Sequence, residues 1–353
     1  MIAIDQLVRD NIKTLQPYTS AREQFMDYGL TLLDANENAW GSIGMVDNNQ
    51  MLNRYPDPYQ RAIKKQLAEM KDHPEDCIFL GNGSDEIIDL LIRIFCEPGK
   101  DEIVTTVPTY GMYRVSAAIN NVVVKEVPLS GLFELNATEV IKAVSTHTKI
   151  IFLCSPNNPT GNLLEKSQVQ TLLDRFNGIL VIDEAYIDFT NDPGFVKQCM
   201  EHPNLVVMQT FSKAWGLAGI RLGVGYTSNE IMHYLNRVKP PYNVNQLTQK
   251  LALAAMEDAH EIKMIVAKVQ NGREWLKKEL SQLKSVEQVY PSDANFLLVK
   301  MKQPTVTFNA LIDQQVVVRD RSRVQLCEGC LRITVGTEEE NQRLLDVLKT
   351  IEL

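Results

Sequence analysis

The sequence predicts an α/β fold: a large domain with a mainly parallel, seven-stranded sheet flanked by helices, plus a smaller α+β domain. Three observations predict it. Short Val/Ile/Leu-rich runs alternate with helical patterns between about residues 35 and 250, a long amphipathic segment follows, and shorter mixed elements close the chain. With 353 residues, 44% hydrophobic and 23% charged, the chain is long enough to bury more than one core.

The strand-like runs are Cys77 to Leu80, Glu102 to Thr106, Val122 to Val127, Ile150 to Cys154, Ile179 to Ile182, Leu205 to Gln209 and Leu222 to Tyr226. Most are apolar on both faces, as parallel strands covered by helices on both sides should be, because neither face meets water. Between the first two runs, Glu86 to Phe95 places Ile87, Leu91, Ile92 and Phe95 on one helical face, with Ser84 or Asp85 expected to cap its start. From His260 to Leu283, Ile262, Val266, Val269, Leu276 and Leu280 recur at helical spacing and predict a long helix linking two domains. A strand Ala294 to Val299, a helix Thr305 to Gln315, and strands Val316 to Val318 and Leu331 to Thr334 are expected next. Thr337 followed by Glu338, Glu339 and Glu340 has the pattern of a capping box ahead of a C-terminal amphipathic helix. The large domain is expected over residues 35–255, with residues 1–34 and 256–353 forming an N-terminal arm and the small domain.

Composition narrows the function. A formal charge of -8 argues against a nucleic-acid or anionic-membrane partner, since both favour basic surfaces. No apolar run reaches bilayer length; Ile87 to Phe95 is broken by Asp89 and Arg93. Asp5, Arg9, Asp10 and Lys13 interrupt the first residues, so no secretory signal is expected and the cytoplasm is the expected location. The six cysteines are irregularly spaced, which predicts reduced thiols and not a disulfide framework. Cys327 and Cys330 form one CxxC without a second ligand pair, so no metal is expected. If the substrate is an anion, this acidic chain must gather positive charge locally.

Chemistry is concentrated where strands end, the usual ligand-bearing edge of such sheets. Thr210-Phe211-Ser212-Lys213 runs on through Gly216 and Gly219 to Arg221. It combines two hydroxyls, a guanidinium fork suited to phosphate and an amine nucleophile that can condense with an aldehyde. A lone Lys beside a glycine turn is ordinarily a surface residue; the convergence of these groups in one segment points to a phosphate-bearing aldehyde. Asp183 ends another buried strand, where a carboxylate is costly unless paired, and a pyridinium nitrogen would pair it. A helix cap would explain Asp183 taken alone. Ser155-Pro156-Asn157-Asn158-Pro159-Thr160-Gly161 follows a third strand, and Asn158 can donate to a ring oxygen, although such loops are commonly plain turns. Gly81-Asn82-Gly83-Ser84-Asp85 opens a helix and can aim backbone N–H groups at an anion, yet it is neither GxGxxG nor GxxxxGK[ST]. A nicotinamide oxidoreductase therefore lacks its fingerprint. A non-catalytic regulator would need a DNA-reading module, and no basic segment supplies one. Tyr110, after a further strand, could stack on an aromatic cofactor or be an ordinary loop aromatic.

In this order the residues resemble the fold-type I pyridoxal-phosphate aminotransferases over nearly the whole chain. The resemblance implies pyridoxal 5'-phosphate as cofactor, held covalently by Lys213. It implies that Asp183 faces the ring nitrogen, that Asn158 and Tyr186 bind the ring hydroxyl, and that Tyr110 stacks on the ring. Ser84, Asp85, Thr210, Ser212 and Arg221 would hold the phosphate, and Arg332, in Leu331-Arg332-Ile333-Thr334, a carboxylate. More narrowly, the chain is similar to the histidinol-phosphate aminotransferases through Pro17-Tyr18-Thr19-Ser20-Ala21-Arg22, Leu33-Asp34-Ala35-Asn36-Glu37-Asn38, Arg54-Tyr55-Pro56-Asp57-Pro58, Lys239-Pro240-Pro241-Tyr242-Asn243-Val244 and Val318-Arg319-Asp320. That likeness implies Tyr18, Asn36, Tyr55, Arg319 and Arg332 at the substrate, Tyr55 reaching the partner's cofactor in a homodimer. The implied substrates are a small phosphorylated amine and a keto acid; an aromatic amino-acid aminotransferase or a phospho-amino-acid decarboxylase are the alternatives on the same cofactor. A solvated basic turn accounts for Arg321 and Arg323, and Ser322 to Gly329 matches no motif.

Overall fold

The structure, a computed structural model, describes residues 3–18, 31–44 and 51–351; Thr19, Ser20, Ala21 and Arg22 of the first resemblance motif lie outside them. Seven strands form the large sheet: β1 Ile78–Asn82, β2 Glu102–Val107, β3 Val123–Pro128, β4 Thr148–Cys154, β5 Ile179–Asp183, β6 Leu205–Thr210 and β7 Leu222–Tyr226. Their order is β1-β7-β6-β5-β4-β2-β3. The pairings from β3 through β6 are parallel, as the sequence predicts, whereas β7 runs antiparallel to both neighbours. The reversal has a simple cause. Between β6 and β7 the chain holds only one 3-10 turn, Ala218–Ile220, and a parallel return would need a crossover, usually a full helix.

Alternation along the strands splits the interior into two cores, one on each face. Leu80, Val104, Ile151, Leu153, Leu180, Ile182 and Val207 meet Ile63, Leu67, Val140, Val169 and Leu172 of the helices on one side. Phe79, Ile103, Ile150, Phe152, Ile179, Val181 and Met208 meet Ile87, Leu91, Tyr113, Ile231 and Leu235 on the other. Ile4, Leu7, Val8 and Ile12 of the N-terminal helices complete that second core. β3 departs from the expectation of a strand buried on both faces: it has one neighbour, and Val123 is exposed. Edge position, not composition, decides its burial.

The helix after β1 spans Ser84–Phe95, two residues earlier than its apolar face suggests. The expected cap by Ser84 or Asp85 is corrected: both lie inside the first turn, and Gly83, with φ +71°, takes the cap position without a side-chain bond. Glycine alone adopts that conformation readily.

The second sheet, β8 Val286–Val289, β9 Phe296–Met301, β10 Arg319–Asp320 and β11 Cys330–Thr334, is antiparallel in the order β10-β11-β9-β8. It packs Leu297, Val299, Leu331 and Ile333 against Leu276, Leu280, Leu311, Leu344 and Leu345 of three helices. Val316 to Val318, expected as a strand, is not one. Gln315 turns with φ +59°, and the Val316 N–H bonds the Leu311 carbonyl at 2.8 Å, ending the helix Pro304–Asp313; the ladder starts only at Arg319. The long helix is His260–Leu280, three residues shorter than read. The capping box is present: Thr337 accepts from the Glu340 N–H, and the Glu340 carboxylate accepts from the Thr337 N–H at 2.7 Å. Among the described residues no helix is long and apolar enough to cross a membrane.

Candidate active site

The C-terminal ends of β1, β4, β5 and β6 and the start of the reversed β7 surround a cleft of about 130 Å³, lined by Gly83, Ser84, Asp85, Tyr110, Cys154, Asn158, Asp183, Ala185, Tyr186, Thr210, Ser212, Lys213, Ala218 and Arg221. Every residue proposed above for the cofactor lines it except Tyr55. Reversal of β7 is what brings Arg221 there, since a parallel β7 would start at the opposite edge.

Two glycines set the anion end. The Gly83 N–H donates to the Arg221 carbonyl at 2.8 Å, which ties the loop after β1 to the loop before β7. A Cβ on Gly223 would lie 2.3 Å from the Gly83 carbonyl carbon and the Ser84 nitrogen, so the strands can approach this closely only as glycine. Arg221 itself holds φ +56°, a conformation uncommon outside glycine. Its guanidinium stands 3.4 Å from one Asp85 oxygen, and the other Asp85 oxygen accepts from the Tyr110 hydroxyl at 3.0 Å. Ser212 and Thr210 face the same point, with Thr210 donating to the Ser212 hydroxyl at 3.0 Å. The first turn of a twelve-residue helix, two hydroxyls and a guanidinium thus converge, which is the donor set of a phosphate site.

At the other end Asp183 is buried, and burial pushes its carboxyl up to about 6 although the Tyr113 hydroxyl and the Ala185 N–H both donate to it. The Tyr113 bond, 2.8 Å to Oδ2, is the feature the sequence reading missed. Tyr113 lies on the core face of the helix Met112–Ile119 and stacks on Phe152, so its periodicity is that of an ordinary core residue. A buried carboxylate left short of counter-charge fits a protonated ring nitrogen. Burial, and next the charge of Arg332, lower the Lys213 pKa, which enlarges the neutral, nucleophilic fraction of its amine. Lys213 Nζ lies 5.7 Å from the Tyr186 ring centre. Asn158 donates to the Tyr186 hydroxyl at 3.3 Å and accepts from Arg332, which reaches over from β11. Behind these, Asn157 is clipped to Thr109 at 2.9 Å, and Glu184 accepts from the Phe195 N–H and from Gln209. An aldehyde-binding amine, a ring-nitrogen partner, two donors for a ring oxygen and a phosphate cradle fit pyridoxal phosphate as a set.

The remaining candidates are not all gathered there. Arg319 lies directly across from Arg332 in the β10–β11 ladder. Tyr18 is exposed. Asn36 and Tyr55 line a separate cleft of about 590 Å³ and not the one around Lys213. Glu37 fixes Tyr55 there by accepting from its N–H at 2.7 Å, and the Tyr55 ring stacks on Tyr242 with centres 4.4 Å apart. Cys327 and Cys330, like the other four cysteines, are buried free thiols. No group of three or more His, Cys, Asp or Glu among the described residues is placed to hold a metal.

Comparison with known proteins agrees with this geometry. Residues 20–348 match the family described as aminotransferase class I and II. A histidinol-phosphate aminotransferase of Cytophaga hutchinsonii is 52% identical over 348 residues, which cover 99% of both chains. Among solved structures, the histidinol-phosphate aminotransferase of Clostridium acetobutylicum superposes with a TM-score of 0.78 at 26% identity, covering 85% of this chain and 91% of the other. That of Sinorhizobium meliloti, solved in complex with pyridoxal-5'-phosphate, shares the fold with a TM-score of 0.76 at 21% identity, covering 89% and 88%. The fold is that of the fold-type I pyridoxal-phosphate enzymes, and the chain belongs to the class I and II aminotransferases and, within them, to the histidinol-phosphate aminotransferase family.

Proposed function

We propose that this protein transfers the amino group of L-histidinol phosphate to 2-oxoglutarate, giving imidazole-acetol phosphate and glutamate in histidine biosynthesis, with pyridoxal 5'-phosphate held on Lys213. The observation that carries the reading is the meeting of Lys213, Asp183 and the Ser84–Arg221 anion cradle in one cleft, whose Asn158 accepts from Arg332 of the second sheet.

Bound pyridoxal phosphate supplies an aldehyde carbon and an electron-withdrawing ring. In this reading the Lys213 amine would take the proton from the substrate carbon that bears the nitrogen and, as an ammonium, would deliver it to the carbon supplied by the aldehyde. Its lowered pKa suits both halves of that exchange. Asp183 holds negative charge at the ring nitrogen, where the Tyr113 bond keeps the carboxylate ionised. Asn158 and Tyr186 donate to the ring hydroxyl, and Tyr110 covers the ring. The Ser84 and Asp85 amides, with Thr210, Ser212 and Arg221, hold the phosphate. Asp85 serves through its N–H, because its carboxylate is engaged by Tyr110 and Arg221 and would repel an anion. Arg332 and Arg319, with Tyr18 and Asn36, bind the substrate's anionic end.

A homodimer with shared sites belongs to this proposal. Tyr55 is half exposed, stands apart from its own Lys213, and has exposed Leu33, Trp40 and Ile43 in neighbouring segments, a surface suited to burial against a second copy. A large domain over residues 35–255 with the rest as arm and small domain, and a cytoplasmic location compatible with six free cysteines, complete it. The test is borohydride reduction of the holoenzyme followed by peptide mapping, together with a substrate panel. Label on Lys213 and faster turnover of histidinol phosphate than of phenylalanine are expected. Label on another lysine would reject the site, and a preference for phenylalanine, or release of carbon dioxide, would reject the substrate.

A further inference from the structure

We propose that Arg321 is the third arm of an arginine clamp, formed with Arg319 and Arg332 on one face of the second sheet, that selects dianionic over monoanionic substrates. The proposal rests on the function proposed above and adds a residue to which that reading gives no role.

Register supplies the geometry. Arg319 is paired with Arg332, and Asp320 with Leu331. The Arg321 N–H donates to the Cys330 carbonyl at 2.9 Å, so the ladder continues one residue past the strand. Side chains two apart on a strand share a face, which puts Arg321 beside Arg319, and Arg319 stands directly opposite Arg332. Arg332 bonds Asn158, a buried residue of the Lys213 cleft, and lies over the Phe296 ring, so this is the face turned to the site. The charges of Arg321 and Arg332 both act on the Tyr186 hydroxyl, which Asn158 contacts.

Two buried donors on this face are unspent. Nε of Arg321 and Nε of Arg332 are both buried without a partner. None of the three arginines makes an ion pair among the described residues. Like charges packed together without a carboxylate disfavour one another, and burial followed by the charges of Arg332 and Arg319 lowers the Arg321 pKa. Such an arrangement is relieved by an anionic ligand with several acceptor oxygens: a phosphate monoester brings a charge near two, and the distal carboxylate of a keto diacid brings a single charge with two acceptors. A substrate with a neutral side chain leaves the buried donor unmatched, and sites that desolvate a donor discriminate against ligands that fail to meet it. Arg323, by contrast, is exposed and continues as a solvated turn residue.

Arg321→Gln and Arg321→Lys in the holoenzyme test this. For Arg321→Gln the KM for histidinol phosphate, and separately for 2-oxoglutarate, should rise about tenfold or more relative to any rise for phenylalanine, as loss of one charge-assisted contact implies. Arg321→Lys should recover part of the difference, because it keeps charge but not the fork. Inorganic phosphate titrated calorimetrically into the holoenzyme should bind the wild type about tenfold more tightly than Arg321→Gln. Equal changes for dianionic and monoanionic substrates, or unchanged phosphate affinity, would overturn the clamp and leave Arg321 a structural residue. Should the wild type fail to process histidinol phosphate, the proposed function fails, yet the phosphate titration still decides whether Arg321 binds a dianion.

Discussion

Tyr113→Phe isolates the electrostatics of Asp183 with little disturbance of packing. The phenol is fully buried, stacked on Phe152 at 4.9 Å and edge-on to Tyr110 at 5.6 Å, and phenylalanine keeps both ring contacts. What disappears is one hydrogen bond of 2.8 Å to an ionised acceptor. Such bonds contribute about 1.5–3 kcal/mol, against about 0.5–1.5 kcal/mol for the same bond to a neutral carboxyl, and the difference, at about 1.4 kcal/mol per pH unit, should raise the Asp183 pKa by roughly one unit. The starting point is already high, about 6 against an ordinary 3.8, because burial outweighs the two donors. In the proposed mechanism activity needs the carboxylate ionised; a protonated ring nitrogen lowers its pKa in the holoenzyme, so the acid limb of kcat/KM should move upward by about one unit from its wild-type position, with the loss growing toward acid pH. Stability of the cofactor-free protein gives a second reading. A carboxyl whose folded pKa is raised costs the fold nothing below its unfolded pKa and progressively more as pH rises through the folded one. Wild type and Tyr113→Phe should therefore differ by about 0.5–1.5 kcal/mol near pH 4, where only a neutral bond is lost, and by about 1.5–3 kcal/mol near pH 8. Urea unfolding at both pH values and a pH–rate profile measure these quantities. An unmoved acid limb, with the same stability loss at pH 4 and pH 8, would refute the reasoning and reduce Tyr113 to a core aromatic.

Two further predictions concern backbone and assembly. Gly223→Ala should lower stability by about 2 kcal/mol or more and weaken cofactor binding, because its Cβ would meet the Gly83 and Ser84 backbone at 2.3 Å. Gly225→Ala, whose Cβ would meet side chains of Ile87 at 3.3 Å and Phe79 at 3.6 Å and no backbone, should cost clearly less; equal thermal midpoints for the two would contradict the close-approach argument. Mixing Lys213→Ala chains with Tyr55→Ala chains should restore activity above either parent, since one site of the mixed dimer would keep both groups. No recovery after verified subunit exchange would exclude Tyr55 from the partner's site.

The seven strands were legible because each carries a compact apolar run, and the cleft was legible because its chemistry lies in the loops that end them. Lys213, Asp183, Asn158, Tyr186 and Arg221 all sit in such loops or at strand ends, and all line one cleft. Features set by pairing partners were not legible. Reversal of β7 depends on a connection too short to cross the sheet, and the exposure of β3 depends on its place at the edge. Val286–Val289 escaped notice because Glu287 and Gln288 face solvent on an edge strand. Val316 to Val318 has strand-forming residues without a ladder partner. Tyr113 was hidden for the opposite reason, since a core aromatic whose hydroxyl finds a carboxylate looks in sequence like any other core aromatic. Arg321 and Arg323 are indistinguishable as letters and separate only once the register is known.

The two sheets divide the chemistry in a way that bears on how such an enzyme diversifies. The groups that line the Lys213 cleft hang from strand ends of the large sheet, while the guanidinium groups of Arg319, Arg321 and Arg332 hang from β10, β11 and the turn between them, joined to the cleft at the Arg332–Asn158 contact. Arg323, Gln325 and Glu328 in the turn are exposed and can change charge without touching the Asp183–Tyr113 pair or the Gly83–Arg221 tie, whereas Cys327 is wholly buried in the core beneath the large sheet. Selection, natural or in the laboratory, can therefore redraw the rim at those exposed positions, and it meets resistance where a change reaches Asn158 or the buried side of the turn.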